Sequence, residues 1–207
     1  MNLPNDKKNQ LPLFYLSSME EIINYMLQFG QLNTQQITLI KSKLQEISLK
    51  KGAYFSEAGK IARQVGFLSE GVLRVCYYGN KGDEFTRCFV PENRFTVDLN
   101  SFYNEIPCSE YVEAVTDCRM YVMNKAAFTE LCNTIPDWNP MFARMTSSAL
   151  MRKVYESSRM LSEDATTRYL TFLEIYPGLS NRIPLSALAS YLGITQSSLS
   201  RIRKNIS

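Results

Sequence analysis

With 207 residues, the chain is long enough to form one or two domains with a buried core. Hydrophobic residues make up 45% of it and charged residues 21%, proportions that are typical of soluble globular proteins. The sequence contains no histidine, which excludes histidine-ligated zinc and histidine-based catalytic triads. No apolar run reaches the roughly 18 residues that span a bilayer, and residues 1–10 do not resemble a signal peptide. We therefore expect a cytoplasmic protein with no membrane partner.

Charge is distributed unevenly along the chain. The net charge is only +3, but the part from Arg144 onward holds nine lysines and arginines against four acidic residues. The rest of the chain holds 14 basic and 16 acidic residues. The basic surplus therefore lies in the C-terminal third, as a nucleic-acid-binding end would require.

The cysteines match no metal-binding or redox pair. They are Cys76, Cys88, Cys108, Cys118 and Cys132. Neighbouring cysteines are at least ten residues apart, and their odd number argues against a disulfide framework. We expect reduced thiols, with no metal site and no cofactor.

The first 50 residues predict a loose polar arm over residues 1–10, followed by two helices. Ser17 or Ser18 can cap a first helix that begins at Met19–Glu20, and Gly30 is the stop signal after it. Asn33 or Thr34 can cap the second helix. The predicted buried residues are Ile22, Ile23, Met26 and Leu27 in the first helix and Ile37, Ile40, Leu44 and Ile47 in the second.

The stretch from Leu49 to Val122 predicts short strands separated by glycine-containing turns. The β-rich pieces are Ala53–Phe55, Val65–Leu68, Val72–Tyr78, Phe85–Val90, Tyr111–Val115 and Arg119–Met123. Gly79–Asp83 is the clearest hairpin tip. Short strands at this spacing predict a small antiparallel barrel or roll.

Two helices are predicted after the strands: a short one over Ala126–Ile135, interrupted by Pro136, and a long one over Pro140–Leu161. A heptad-like seam along the long helix comprises Ala143, Ser147, Leu150, Val154, Ser157 and Leu161. A second apolar face comprises Met141, Phe142, Met145 and Ala149. Two interpretations are open: one face packs on its own domain and the other on a partner copy, or both form one wide core face.

A further helix is predicted to start at Ser162-Glu163-Asp164 and to end at Tyr176-Pro177-Gly178. Its predicted buried residues are Tyr169, Leu170, Phe172 and Leu173. We expect it to be the third helix of a DNA-binding unit whose other two helices follow.

The segment Ile183–Ser207 predicts those two short helices, joined by a tight turn. Pro184 suits the first position of a helix, and an apolar stripe follows it at Leu185, Leu188, Ala189 and Leu192. Gly193 can end this helix with a positive φ, Ile194 can anchor the turn, and Thr195 can cap the next helix. In the second helix Leu199, Ile202 and Ile206 share one face. This arrangement is a helix-turn-helix, whose second helix can enter a DNA major groove.

The opposite face of that second helix carries side chains suited to DNA. Gln196 and Arg201 can each bond two base-edge atoms, and Ser197 and Ser200 are short enough for close approach. Arg203 and Lys204 can reach phosphates, and no acidic residue lies between Arg182 and Ser207. The candidate DNA-binding residues are Thr195, Gln196, Ser197, Ser200, Arg201, Arg203 and Lys204. The alternative is an ordinary helical hairpin with a solvated polar face.

The order of these elements resembles the Crp/Fnr superfamily of transcription regulators, the cyclic-AMP receptor protein and its relatives. The resemblance is carried by LKKGAYFSEAG at 49–59, FLSEGVLRVCYYGNKGDEFTRCFVPENRF at 67–95, YVEAV at 111–115 and LASYLGITQSSLSRIRK at 188–204. The last block is fairly specific, whereas the others are persuasive mainly by their order. The chain looks most like an orphan branch common in Bacteroidetes-type regulators, many of which end just after the recognition helix.

This resemblance implies a mixed α+β architecture in three parts. A cyclic-nucleotide-binding-like β-roll sensor would occupy 1–138, a connecting and dimerising helix 139–161, and a winged helix-turn-helix 162–207. The implied partners are a two-fold symmetric site on double-stranded DNA, a second copy of the chain, RNA polymerase, and a small-molecule effector or none. Arg201 matches an arginine that the family uses to read bases, whereas Gln196 and Ser197 depart from the arginine–glutamate pair of cyclic-AMP-responsive members.

The effector pocket departs further from the family pattern. Members that bind cyclic nucleotides use a Gly-Glu turn for the ribose and, about ten residues later, Arg-Ser or Arg-Thr for the cyclic phosphate. Here Val97 replaces the glycine, Asp98 the glutamate and Cys108 the arginine. The expected degenerate pocket comprises Phe95, Val97, Asp98, Cys108, Ser109 and Tyr111.

Losing the phosphate-binding arginine removes a charge-assisted contact worth roughly 1.5–3 kcal/mol. Arg87, Arg94 or Arg119 could substitute, but the sequence places none of them there. The chain also lacks the N-terminal cysteine cluster of iron–sulfur members. We therefore expect no response to cyclic AMP or cyclic GMP, and a less polar effector or none.

Taken together, the sequence predicts a DNA-binding transcription regulator and not an enzyme. One alternative is a roll-based module for small molecules or proteins that does not read DNA specifically. Another is an enzyme that uses the roll as a metal barrel, against which the absence of histidine argues.

Overall fold

The computed structural model describes residues 13–79 and 82–206, with the backbone alone for residues 13–18. The predicted arm at residues 1–10 and the hairpin-tip residues Asn80 and Lys81 lie outside this part. The helices are α1 (Leu13–Leu27), α2 (Thr34–Lys43), α3 (Leu99–Asn104), α4 (Lys125–Thr134), α5 (Trp138–Ser162), α6 (Ala165–Ile175), α7 (Leu185–Tyr191) and α8 (Gln196–Ile206), with a 3₁₀ turn at Leu179–Asn181. The strands are β1 (Gln45–Leu49), β2 (Tyr54–Ser56), β3 (Gln64–Glu70), β4 (Leu73–Tyr78), β5 (Glu84–Val90), β6 (Arg94–Thr96), β7 (Tyr111–Ala114) and β8 (Cys118–Asn124).

The eight strands form two four-stranded antiparallel sheets, in the orders β1-β8-β3-β6 and β2-β7-β4-β5. Apolar side chains from both sheets pack between them, including Leu68, Leu73 and Met120, each fully buried. The predicted antiparallel roll is therefore confirmed. The predicted strands agree with β2, β3, β4, β5, β7 and β8 to within a few residues.

Three elements of the roll were not predicted: β1, β6 and α3. Leu44 and Ile47 were expected to continue the second helix, which is wrong, because α2 ends at Lys43 and Leu44 has an extended backbone. Ile47 instead lies in β1, opposite Met120 of β8. Pairing with a strand some 70 residues away is a tertiary effect that local apolar spacing does not reveal.

The N-terminal helices cover one end of the roll. Asn33 caps α2 as predicted, since its side chain accepts a hydrogen bond from the Gln36 amide at 2.9 Å. The predicted start of the first helix is wrong, because α1 begins at Leu13 rather than at Met19–Glu20. Ile22, Ile23 and Met26 are buried as predicted, but Leu27 is exposed.

Helix α5 is buried only at its N-terminal end. Trp138, Met141, Phe142 and Met145 are buried against the roll, and the Phe142 ring centroid lies 4.8 Å from that of Phe128 on α4. Beyond Met145 most of the helix is exposed, and α6 follows after Glu163 and Asp164. No helix in the described part of the chain is long and apolar enough to cross a membrane.

The remaining helices pack together as one unit. Asp164 caps α6, with its carboxylate accepting hydrogen bonds from the amides of Thr166 (2.9 Å) and Thr167 (3.1 Å). Tyr169 and Phe172 are buried as predicted, whereas Leu170 is exposed because it lies on the opposite side of α6. Within the described residues no strand follows β8, so this part contains no wing.

Two glycines with positive φ provide a matched test of the roll's packing. Gly71 connects β3 and β4 with a φ of 101°, and a Cβ there would lie 2.5 Å from the carbonyl oxygen of Asp117. Gly59 has a φ of 83°, and a Cβ there would meet no heavy atom of the described chain within 4 Å. We expect Gly59→Ala to lower the free energy of unfolding by about 1–2 kcal/mol through backbone strain alone. Gly71→Ala should cost about 1–3 kcal/mol more because of the clash.

Urea denaturation followed by circular dichroism measures both variants. Equal losses of stability would show that the turn at Gly71 relaxes freely and does not constrain the sheets.

Candidate nucleic-acid interface and effector pocket

Helices α7 and α8 are the two short helices predicted within Ile183–Ser207, and a tight turn joins them. Gly193 ends α7 with a φ of 67°, and the Ile194 amide donates a hydrogen bond to the Ala189 carbonyl at 3.0 Å. Thr195 caps α8, because its hydroxyl oxygen accepts a hydrogen bond from the Ser198 amide at 3.2 Å. Pro184 lies just before the first helical residue of α7, one position earlier than predicted. The local signals thus place α8 directly after a tight turn.

The inner face of α8 attaches it to the rest of the unit. Leu199 is fully buried, and Ile202 packs partly buried against the same apolar cluster. This cluster includes Leu188 and Leu192 of α7 and Phe172 of α6. Ile206, predicted on this face, is 41% exposed near the end of the helix.

The outer face of α8 is open to solvent. Six of the seven candidate DNA-binding residues are exposed there: Thr195, Gln196, Ser197, Ser200, Arg201 and Lys204. They form one row of polar and basic side chains without a carboxylate. Such a row can donate hydrogen bonds to base edges and phosphates.

Arg203, the seventh candidate, has internal partners. One of its guanidinium nitrogens donates a hydrogen bond to the Ser180 carbonyl at 3.1 Å, and its guanidinium carbon lies 5.7 Å from the ring centroid of Tyr169. Arg203 therefore ties α8 to the preceding helices. The sequence gave no sign of this structural role, because Arg203 stands beside the candidate DNA-binding residues while its partners Ser180 and Tyr169 lie more than 20 positions away.

The six predicted pocket residues do not converge on one cavity. Phe95 packs in the core, with its ring centroid 4.9 Å from that of Phe67, and Val97 packs against the same cluster. The Asp98 carboxylate caps α3 by accepting a hydrogen bond from the Ser101 amide at 3.0 Å. Cys108 is buried and Ser109 exposed. Tyr111 lies on the second sheet, with its ring centroid 5.1 Å from that of Tyr54.

A cavity of about 160 Å³ adjoins Asp98 and Cys108. This is smaller than the roughly 300–1,000 Å³ of typical small-molecule pockets. Its other lining residues are Phe55, Ser56, Glu57, Lys60, Ile61, Ala62, Arg63 and Gln64, from β2, β3 and the loop between them. That loop is held against the pocket segment, since the Gly59 amide donates to the Cys108 carbonyl at 2.9 Å.

The cations of this cavity are not those considered from the sequence. Lys60 and Arg63 line it, whereas Arg87, Arg94 and Arg119 do not. Arg87 pairs with Glu110 at 2.8 Å, and Arg119 lies 3.2 Å from Glu70. No sequence signal brings the loop at 57–63 to Cys108, because the contact joins segments about 50 residues apart.

The seam predicted on α5 faces solvent in the single chain. Ala143, Ser147, Leu150, Val154, Ser157 and Leu161 are all exposed. Leu150 is 62% exposed, Val154 56% and Leu161 91%. Of the second predicted face, Met141, Phe142 and Met145 are buried against the roll, whereas Ala149 is only half-buried. The two faces are therefore separate, and one wide core face is excluded.

The unit formed by α6, α7 and α8 also packs on the roll, through contacts that sequence reasoning missed. Helix α7 lies along β5, and the Phe89 ring centroid is 5.5 Å from that of Tyr191 and 6.0 Å from that of Phe172. Ser190 on α7 accepts a hydrogen bond from the Thr86 amide at 2.9 Å. Arg182 forms a two-pronged ion pair with Glu92, with one contact at 3.0 Å.

Charge and burial oppose each other at Glu92. Burial alone would raise the pKa of its carboxyl, but hydrogen bonds from Arg182 and from the Gly71 amide outweigh burial and leave the pKa below its ordinary value. The same pairing raises the pKa of Arg182. The stabilisation is therefore complete above the ordinary glutamate pKa and is lost only as the pH falls through the lowered one.

Comparison with known proteins agrees with this architecture. Residues 46–135 match the cyclic nucleotide-binding domain family. No curated protein matches the chain significantly.

Among solved structures, FixK2 from Bradyrhizobium japonicum is similar, with a TM-score of 0.70 and 15% identity over 79% of this chain and 84% of that one. A protein from Eubacterium rectale assigned to the Crp/Fnr family of transcriptional regulators gives a TM-score of 0.68 and 16% identity over 88% and 87%. The c-di-GMP-responsive global regulator CLP from Xanthomonas campestris gives 0.67 and 14% over 84% and 91%.

These matches do not bear on the Bacteroidetes-type branch, which stays a prediction. They agree on the two sheets and on the helices that follow them. Residues 46–135 are therefore similar to the cyclic nucleotide-binding domain family, and most of the chain shares the fold of solved structures that include a Crp/Fnr family regulator.

Proposed function

We propose that this protein is a transcription regulator that binds DNA as a homodimer through α8. The observation that carries the proposal is the exposed row on α8, opposite a face that is anchored by the fully buried Leu199. A recognition helix needs both properties, because its inner face must be rigid while its outer face enters the major groove. Gln196 and Arg201 would read base edges, and Lys204 would contact phosphate.

The dimer would form along α5. Six exposed residues at heptad-like spacing leave a seam uncovered along α5, while the roll holds the other face of the helix only at its N-terminal end. Packing this seam against a second α5 would bury side chains that a single chain leaves in water. Two recognition helices related by two-fold symmetry would then match a two-fold symmetric DNA site.

This proposal assigns three roles along the chain: a sensor-type roll over 1–138, the dimerising helix over 139–161, and the DNA-binding unit over 162–207. Contact with RNA polymerase remains a prediction from the family resemblance, and a cytoplasmic location remains a prediction from the sequence.

We propose that the roll does not sense cyclic AMP or cyclic GMP. Cys108 supplies no charge for a cyclic phosphate, and the carboxylate of Asp98 lines the same small cavity. Phe95 and Val97 are half-buried against the core and do not line this cavity. The solved regulator CLP is described as responsive to c-di-GMP, so effectors of proteins with this fold are not restricted to cyclic mononucleotides.

The DNA-binding proposal is tested on sites selected from genomic fragments by electrophoretic shift. Affinity should fall steeply as salt rises, since phosphate contacts release counterions. Arg201→Ala should cost about 1–3 kcal/mol at the selected site and relax the preference at one base pair. Lys204→Ala should weaken all sequences alike and reduce the salt slope by about one.

Unchanged affinity and unchanged base preference in Arg201→Ala would refute the assignment of α8. Absence of any salt-dependent shift would favour the alternative, a roll-based interaction module that does not read DNA.

The dimer proposal is tested by Leu150→Glu. This change would place two carboxylates opposite each other in an apolar seam, where neither charge can be solvated fully. Sedimentation at micromolar concentration should show a dimer for the wild type and a monomer for the variant. Leu170→Glu on α6 is the matched control, since Leu170 is also exposed but lies off the seam, and it should remain a dimer. A dimeric Leu150→Glu variant would place the interface elsewhere.

Calorimetry with cyclic AMP and cyclic GMP tests the pocket proposal. The missing arginine contact, worth roughly 1.5–3 kcal/mol, corresponds to a loss of about ten- to 150-fold in affinity. We expect no binding tighter than about ten micromolar. If tight binding is seen, Arg63→Ala identifies whether this cavity cation has taken over the phosphate contact, and the proposal is wrong in either case.

A further inference from the structure

Strand β5 is the edge of the second sheet, and α7 covers it. A single hydroxyl makes the polar contact: Ser190 accepts a hydrogen bond from the Thr86 amide at 2.9 Å and donates one to the Glu84 carbonyl at 3.1 Å. Edge-strand amides and carbonyls otherwise face water or pair with another strand. Here the Ser190 side chain of the DNA-binding unit pairs with one amide and one carbonyl of the edge strand.

A second polar contact lies just beyond the end of β5. Glu92 receives both prongs of the Arg182 guanidinium, and the same carboxylate also accepts a hydrogen bond from the Gly71 amide at 2.8 Å. The roll therefore holds the carboxylate in place, and Arg182 brings the DNA-binding unit to it. Two-pronged pairing fixes direction as well as distance.

These two contacts flank an apolar one. Phe89 projects from β5 into the cluster formed by Phe172 and Tyr191, and Val72 and Val115 of the roll belong to the same cluster. We call the set of Glu84, Thr86, Phe89, Glu92, Arg182 and Ser190 the β5 latch. It lies away from the outer face of α8, whose row of exposed residues stays uncovered while the latch is closed.

The unit is also joined to α5, both by the chain connection at Glu163 and Asp164 and by side-chain hydrogen bonds. Arg159 on α5 donates to the Thr171 hydroxyl at 2.7 Å, Arg168 on α6 donates to the Met160 carbonyl at 2.9 Å, and the Tyr176 hydroxyl donates to the Glu156 carboxylate at 3.0 Å. These bonds tie α6 to α5 and not to the roll. A two-fold symmetric site has a set separation between its half-sites, so a unit that can tilt relative to the roll must lose that orientational freedom on binding. A unit that is already docked on its roll has lost this freedom before it meets DNA, so DNA binding costs less entropy.

We propose that the β5 latch orients the helix-turn-helix unit for two-fold symmetric DNA, with Glu92 and Ser190 as positioning residues that do not touch DNA. This proposal rests on the proposed function and adds to it how the recognition helices are held. The latch does not block DNA binding, because the outer face of α8 stays exposed while the latch is closed.

Three variants test the latch. Glu92→Gln removes the charge that pairs with Arg182 but keeps an oxygen for the Gly71 amide. Ser190→Ala removes both hydrogen bonds to β5. The control is Glu110→Gln, which removes the same charge from the Glu110–Arg87 pair within the roll, where both contacts are 2.8 Å.

Two measurements are made on the full chain. Hydrogen exchange at the Thr86 amide reports whether the latch is open, with the Met120 amide in the centre of the first sheet as reference. Affinity is measured for a duplex carrying the selected two-fold site and for a short duplex carrying one half-site. Because loss of a carboxylate would by charge alone strengthen DNA binding, weaker binding of Glu92→Gln cannot arise from charge.

We expect faster Thr86 exchange in Glu92→Gln and Ser190→Ala, and affinity for the two-fold site reduced about two- to fivefold, as for an ion pair of this exposure. Half-site affinity should not fall in either variant, and Glu110→Gln should match the wild type in exchange and bind the two-fold site no more weakly than the wild type. Faster exchange with unchanged affinity for the two-fold site would overturn the positioning role. Unchanged exchange in both variants would overturn the latch itself. If the wild type binds no two-fold site at all, the proposed DNA-binding function is wrong, and the positioning role is wrong with it. The exchange rates of the Thr86 amide would still show whether the latch exists.

Discussion

The burial of the first turns of α5 in the roll is the packing on which the rest of the molecule depends. Trp138 and Phe142 are held by Phe128 of α4, with ring centroids 5.8 and 4.8 Å from it. This fixes the direction in which α5 leaves the roll. Everything after Met145 is positioned from that point: the uncovered seam, the short connection at Glu163 and Asp164, and the unit that returns to β5.

The basic residues of the C-terminal segment show how packing divides side chains of one type between different tasks. Arg182, Arg201, Arg203 and Lys204 form an unbroken basic surplus in the sequence. Arg182 pairs with Glu92 of the roll and Arg203 bonds the Ser180 carbonyl, so both act within the fold. Arg201 and Lys204 are exposed on the outer face of α8 and are free of these structural contacts. A count of basic residues alone would include Arg182 and Arg203, and would therefore overestimate the cations available for the proposed DNA contact.

The roll keeps the architecture of a ligand-binding domain while its side chains serve the fold. Asp98 caps α3, Phe95 lies among core rings, and Cys108 is buried beneath the β2–β3 loop. The pocket segment is also near the β5 latch in the chain, since Asp98 lies six positions after Glu92. Asn93 between them has a φ of 59° and donates its amide to the Leu68 carbonyl at 2.8 Å. The two sites are thus connected through a short, well-anchored segment.

The sequence by itself determined the elements whose signals are local. The cap at Asn33, the turn at Gly193, the cap at Thr195 and the separation of α8 into an apolar and a polar face all follow from residues within four positions of one another. The strands with glycine turns could be predicted for the same reason. The assignment of the two α5 faces needed the structure, because both have helical spacing and only the position of the roll decides which one is buried.

Only the tertiary structure decided the contacts between distant segments. Strand β1 forms because β8 offers it a partner, and without that pairing its apolar residues continue the helical pattern of α2. The Glu92–Arg182 pair joins residues 90 positions apart, and Lys60 and Arg63 line the same cavity as Cys108 although more than 40 positions separate them from it. The physical reason is common to all three: a side chain's local periodicity fixes which face it occupies, whereas its partner across the fold depends on how whole elements pack.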